Sequence, residues 1–382
     1  MAFLVDRLPV PAADYSGAIS AIKQMGGCVI LCSPDGCIDN YSGMEETLPE
    51  SQKMAFCSAA IVENEAILGL EDPLRKRAVA FARRYNPPFI ALVGSPITAI
   101  LGTDLRGLAC EIQGETGVAT LAIDTNGFDT YETGIQKAYE ALFRHFVKPA
   151  APPTRKPNLV NILGYTHLDY CNDEDLQLLL SLLEGQGKTV GCIIGYGSLQ
   201  DLPRLLEAEY SLVVSASGLP LARRLKQMAN IPYSCELPVG GSAAFAASES
   251  GLFPNASQAT TLRTLVVGDQ VMAHSLRKLI EKRYGATCDI ASRVRLDSEF
   301  TREGDARAKN EAALAAKVAQ GYRIVVADPL CAPVVDGQQQ ILFGLPRPAM
   351  SSLVYQNGNI PLFGESLIYQ LDWAFEIALG SR

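Results

Sequence analysis

A chain of 382 residues is long enough for two or three domains with several buried cores. Its 48% hydrophobic and 19% charged residues give an ordinary globular balance, which excludes a largely disordered chain. A net charge of −8, with no basic run and no interleaving of basic residues with aromatics, argues against nucleic-acid binding. No apolar run approaches the roughly 18 residues of a membrane span, and the opening MAFLVDRLPV is too short and charged for a signal peptide. The expectation is a soluble, cytoplasmic protein.

In chain order, a helix begins near Pro11 and stops at Gly26-Gly27. Val29-Ile30-Leu31 then reads as a buried strand closed by the turn Ser33-Pro34-Asp35-Gly36, which delivers Cys37 beyond the strand's carboxyl end. Open α/β sheets place their ligands at such ends, so Cys37 becomes the chemical focus. Cys28 and Cys32 bracket the same strand and share one of its faces. Ala59–Leu68 reads as a strand-like piece with a turn at Glu63-Asn64-Glu65, and Asp72-Pro73 opens a helix to Tyr85. Strand Phe89–Val93, helix Ile97–Gln113, strand Val118–Ile123 and helix Thr130–Phe146 follow. Strand and helix alternate, the pattern of parallel βα units.

The Pro- and Ala-rich run Lys148–Pro157 is the clearest linker. Beyond it come strands Leu159–Leu163, Val190–Gly195 and Leu212–Ser215, with helices Asp173–Glu184, Leu199–Ala208 and Pro220–Ala229. Polarity rises over Gly251–Thr261, and a third unit starts with strand Thr264–Val267 and helix Val271–Tyr284. It continues with strand Cys288–Ala291, helix Arg307–Ala319 and strand Arg323–Ala327, and Leu362–Leu379 is a closing helix. Gly195-Tyr196-Gly197 lacks the third glycine of a phosphate loop. Ten cysteines without a secretory signal or a CxxC pair argue against a disulfide framework or a zinc ribbon. Cys110, Cys192 and Cys288 read as small core residues, and His145 and His274 lie in helices without metal-ligand spacing.

Four stretches in order resemble the nitrogenase component 1 family: AADYSGA at Ala12–Ala18, the turn Ser33–Cys37, ENEAILGLEDPL at Glu63–Leu74, and Ala91–Gly134. Looser echoes are Asn230-Ile231-Pro232, Leu237–Gly240, Val267-Gly268-Asp269 and Asn359-Ile360-Pro361. The resemblance implies an α/β chain of three Rossmann-like domains with mainly parallel sheets. These are drawn at residues 1–150, 158–260 and 261–344, with 345–382 packing back on the first. It also implies an iron–sulfur cluster, of four-iron or P-cluster type, at a subunit boundary.

Of the family's three cysteine positions only Cys37 is a cysteine here; the first falls near Ala13 and Asp14, and the third is Ser95, read as a helix N-cap. One thiolate cannot close a four-ligand shell. The resemblance therefore implies a homologous, ligand-rich partner subunit and an ATP-dependent iron protein as electron donor. Asp14 and Cys32 are the additional cofactor-binding candidates, with Cys57 after them, and each has an ordinary alternative as a cap, solvated acid or buried apolar residue. Asp169 or His167, following strand Leu159–Leu163, is the candidate substrate-site acid. The implied function is that of a nitrogenase-like reductase subunit acting on a small substrate, or else of a scaffold for metal-cofactor assembly.

Overall fold

The computed structural model describes residues 7–36, 55–148, 154–242, 262–335 and 340–380. Its strands are short aliphatic runs bounded by Gly, Pro, Asn and Ser, and they assemble into three sheets in which every pairing is parallel. The first has the order β2-β1-β3-β4, with β1 at Cys28–Leu31, β2 at Ala55–Ser58, β3 at Phe89–Val93 and β4 at Ala119–Ile123. The second has the order β6-β5-β7-β8, comprising β5 (Lys156–Leu163), β6 (Thr189–Ile193), β7 (Ala208–Val213) and β8 (Tyr233–Ser234). The third runs β11-β10-β9-β12-β13, built from β9 (Arg263–Val267), β10 (Thr287–Ser292), β11 (Ala306–Arg307), β12 (Ile324–Ala327) and β13 (Ile341–Gly344). Every residue of β3 is buried, as a strand covered by helices on both faces requires. The chain is thus α/β with three parallel sheets, as the sequence implies.

Several elements differ from the sequence reading for local reasons. The strand expected within Ala59–Leu68 lies earlier, at Ala55–Ser58. Ala60 turns the chain at φ 50°, and Ser58 Oγ accepts from Ala60 N at 2.8 Å. Glu63–Leu68 is instead a helix, α2, the first helix of the chain being α1 (Asp14–Ser20). Helix α3 spans Glu71–Tyr85. The single helix expected over Ile97–Gln113 is two, α4 (Pro96–Leu101) and α5 (Leu105–Thr116). Gly102 leaves the first in the left-handed region, and Asp104 caps the second by accepting from Gly107 N at 2.9 Å. Leu199–Leu206 winds as a 3₁₀ helix, with Pro203 inside it unable to donate an i→i−4 bond. The closing helix Ser366–Ala378 packs on β12 and β13, and Arg283 pairs with its Asp372 at 2.7 Å.

Helix α6 (Tyr131–Phe146) crosses α1 at very close range. A Cβ on Gly134 would lie 1.7 Å from the Asp14 carbonyl oxygen, and one on Gly17 would lie 1.9 Å from that of Tyr131. Only glycine permits this approach, and it fixes where α1 presents Asp14. Gly134→Ala should therefore destabilise by about 3 kcal/mol or more, because backbone rather than a pliant side chain must move. Gly114→Ala is the control: with nothing within 4 Å of its Cβ position inside α5, it should be neutral or stabilising by up to about 1 kcal/mol. Thermal unfolding of both variants makes the comparison.

Candidate functional site

The connections leaving β1, β2, β3 and β4 lie side by side at the carboxyl edge of the first sheet. Hydrogen bonds lace them together. Ser95, after β3, donates its Oγ proton to the Cys32 carbonyl at 2.6 Å and its backbone N–H to Thr98 Oγ1 at 2.9 Å. Ser58, the last residue of β2, donates to the Ser33 carbonyl at 2.9 Å, and Thr125, after β4, to the Gly94 carbonyl at 2.6 Å. Gly94 leaves no room for a side chain, since its Cβ would meet the Thr125 oxygen at 2.3 Å. The edge is consequently a rigid platform of crossing loops.

Asp14 anchors that platform from below. Its carboxylate is fully buried and accepts from Asn126 N at 2.9 Å and Gly127 N at 2.7 Å. Lys137 Nζ approaches Oδ2 at 3.3 Å. Both oxygens are thus engaged within the chain. The Asn126-Gly127 pair signals a tight turn in the sequence, but no local pattern ties it to an aspartate 112 residues earlier. Asn126, Gly127 and Lys137 are the residues at this edge that sequence reasoning did not single out.

Cys32 is also fully buried, among Ile30, Leu74, Ile90 and Leu92. Among the described residues its Sγ reaches only the Ile30 carbonyl, at 3.7 Å. Burial, aided by the neighbouring Cys57, pushes its thiol up to about 12, far from the thiolate a metal needs. Cys57 stands opposite Ile30 in the β1–β2 register and is partly exposed. A hydrogen bond from Cys28 draws the Cys57 thiol below its ordinary value, and the same bond, with burial, holds that of Cys28 high. Cys37 lies outside the described residues, which stop here at Gly36. Among the described residues no three His, Cys, Asp or Glu side chains are grouped to hold a metal ion. Asp14 and Cys32 would each have to be released from the contacts above to reach one, so the described donors do not form a cluster site by themselves.

The rim of the edge is apolar and exposed. Ile67 and Leu68 follow β2, Ile100 and Leu101 follow β3, and Phe128 follows β4; the three most exposed are 85% (Leu68), 79% (Ile67) and 73% (Ile100) accessible. Large apolar side chains left exposed on the connections of one sheet edge are what an interaction surface offers. The second-sheet candidates lie elsewhere. His167 Nε2 meets Asp173 Oδ1 at 2.8 Å, while Asp169 is buried and accepts from Tyr131 Oη at 2.7 Å. Among the described residues no helix is long and apolar enough to cross a membrane.

Similarity to known proteins agrees with this architecture. Over 226 residues the chain is 25% identical to the nitrogenase iron-molybdenum cofactor biosynthesis protein NifE of Nostoc sp., covering 57% of this chain and 46% of that protein. Over 214 residues it is 31% identical to a subunit of the light-independent protochlorophyllide reductase of Prosthecochloris aestuarii, covering 54% of this chain and 39% of that one. The matched stretches thus span less than half of these relatives. A solved structure titled "Nitrogenase Cp1 at pH 6.5" superposes over 100% of this chain and 94% of that one with a TM-score of 0.73, at 12% identity, which speaks to the fold. The model of the nitrogenase component 1 type oxidoreductase family matches residues 13–246, which include α1, the whole first sheet and the edge it presents. The chain belongs to that family.

Proposed function

We propose that the chain is one subunit of a cytoplasmic, nitrogenase-like reductase complex. In this reading a homologous, ligand-rich subunit seats on the carboxyl edge of the first sheet, and the two share an iron–sulfur cluster. This chain contributes Cys37 as its ligand. An ATP-dependent iron protein supplies the electrons, and a small substrate receives them. The family match over residues 13–246 carries the reading. The exposed rim of Ile67, Leu68, Ile100, Leu101 and Phe128 supports the placement of the partner. The shortage of grouped donors among the described residues supports the need for one. Thiolates suit soft iron centres, and a cluster bound here would supply one-electron transfer.

A second reading, a scaffold on which a metal cofactor is assembled and handed on, has its own support in the similarity to NifE. Anaerobic co-purification with a homologous partner separates the two. A reductase retains its iron through repeated turnover with the iron protein, and a scaffold loses it to an acceptor protein. For the site itself, Cys37→Ser should lower the iron content of the purified complex or shift its EPR signal. An unchanged cluster would remove Cys37 from the ligand set.

A further inference from the structure

The carboxyl ends of the second and third sheets meet the start of α6 around a separate cavity of about 30 Å³. Asp169 follows β5, Asp269 follows β9, Arg293 follows β10, Asp328 follows β12 and Arg347 follows β13; Tyr131 opens α6. No local sequence pattern joins these residues, because each lies at the end of a different strand or helix.

The polar groups facing this space are unevenly satisfied. Asp269 is fully used: Oδ1 accepts from Val271 N and Met272 N, and Oδ2 from Ala216 N at 2.8 Å. Asp328 is likewise occupied by Leu330 N, Arg347 N and Ser351 Oγ. The arginines are not. Arg347, 8% exposed, points Nη1 at the Asp169 and Pro346 carbonyls, but its Nη2 has no hydrogen-bond partner among the described residues. Arg293, 7% exposed, has an Nε without a hydrogen-bond partner among the described residues and an Nη1 that lies 4.0 Å from the Met350 sulfur. On the same lining, Asp169 Oδ2 is also without a hydrogen-bond partner among the described residues. Two buried guanidiniums with idle N–H groups are costly unless something accepts from them.

We propose that this chamber binds a small planar oxyanion of the carboxylate class, about three or four heavy atoms in size, between Arg293 and Arg347, with Asp169 as its third contact. The volume suits that size, since it is room for roughly two waters. Guanidinium forks match the planar O–C–O group, and their idle N–H groups call for an acceptor, whereas the Asp269 and Asp328 carboxylates on the same lining are already engaged by backbone and hydroxyl donors. Asp169 has to carry its proton to face an anion. Burial first, and then the Asp269 charge, push its carboxyl up to about 7, against Tyr131 Oη, Arg347 and Ser215, which pull it down. Glu132, also facing it from α6, is held well above the ordinary carboxylate range by burial. In its protonated form Asp169 still accepts from Tyr131 through Oδ1 and has Oδ2 to present a proton.

Anion and proton therefore bind together, and affinity weakens as pH rises through the Asp169 value. The site needs neither iron nor a partner subunit, so it is tested on the purified full-length chain alone. Sodium formate is titrated by calorimetry and by thermal shift, against sodium chloride of equal ionic strength, at pH 6 and pH 8.5. Formate should raise the melting temperature beyond chloride, with affinity falling roughly thirtyfold between the two pH values, for a carboxyl near 7. Arg293→Met should abolish the formate response. Asp169→Asn, a neutral donor at every pH, should keep binding and flatten its pH dependence. A formate response equal to that of chloride at both pH values, or an undiminished one in Arg293→Met, overturns the proposal. Should Arg293→Met fail to fold, the Asp169→Asn profile decides: a pH dependence as steep as in the unsubstituted chain overturns it equally.

Discussion

Replacing Arg277 with methionine should cost about 3–5 kcal/mol, the range found when one partner of a buried ion pair is removed. Arg277 is the largest fully buried side chain among the described residues, and Asp305, its partner, is equally enclosed. Nη1 donates to both Asp305 oxygens, at 2.7 and 2.8 Å, and Nη2 to the Phe300 carbonyl at 3.1 Å. Asp305 in turn accepts from Ile290 N and Arg302 N, each at 2.8 Å. One ion pair thus ties helix Gln270–Tyr284 to β10 and to the loop that leads into β11. Methionine keeps much of the volume but strands a carboxylate in the interior. Asp305→Asn added to Arg277→Met should recover part of the loss, since the amide oxygen still accepts one backbone N–H while the unpaired charge is gone. Asp72→Ala, which breaks exposed pairs with Arg75 and Lys76, should change stability by no more than about 1 kcal/mol.

The chain carries its own probe for this experiment. Its single tryptophan, Trp373, sits half exposed on the closing helix, which packs on the third sheet and is joined to helix Gln270–Tyr284 by Arg283 and Asp372. In urea the tryptophan transition should move to markedly lower denaturant in Arg277→Met. A midpoint within about 1 kcal/mol of the unsubstituted chain would show that the pair contributes little.

The elements that sequence reasoning recovers are those whose cause is local. Phe89–Val93 is apolar throughout and bounded by prolines and glycine, and it forms a strand over those very residues. The alternation of strands and helices carries the parallel α/β class because a parallel pairing demands a crossover. What escapes has its cause elsewhere in the chain. Ile341–Gly344 is a four-residue strand made legible only by β12 beside it. Gly102 looks like a tolerated helix glycine until Asp104 is seen capping a new helix behind it. The site divides in the same way. The turn after β1 is plain in Ser33–Gly36, and the exposed rim is a property of three separate connections that only the folded sheet brings to one edge. The arginine-lined chamber is further still from view, since Arg293 and Arg347 are ordinary charged residues until burial leaves their N–H groups unpaired.

Asp14 offers a sharper test of what the edge is for. As a metal ligand its removal would drain iron and leave the fold intact; as an anchor its removal should loosen the fold first. The geometry supports the anchor. Asp14→Ala orphans the N–H groups of Asn126 and Gly127, and charge-assisted bonds of this kind are worth about 1.5–3 kcal/mol each. Lys137, 30% exposed, loses less, because Asp129 already stands 3.5 Å away. A combined loss of about 3–5 kcal/mol is expected, with the amides of Asn126 and Gly127 exchanging hydrogen far faster than those of β3. Asp14→Asn should fall between, as its amide oxygen satisfies one backbone N–H while its NH₂ group opposes the other. The same loop carries the exposed Phe128, so a partner subunit of the kind proposed above should bind the alanine variant more weakly even when each protein is folded. Iron content of the assembled complex, normalised to partner bound, then separates the two roles. An anchor leaves that ratio unchanged, whereas iron lost from complexes assembled at full stoichiometry would make Asp14 a ligand.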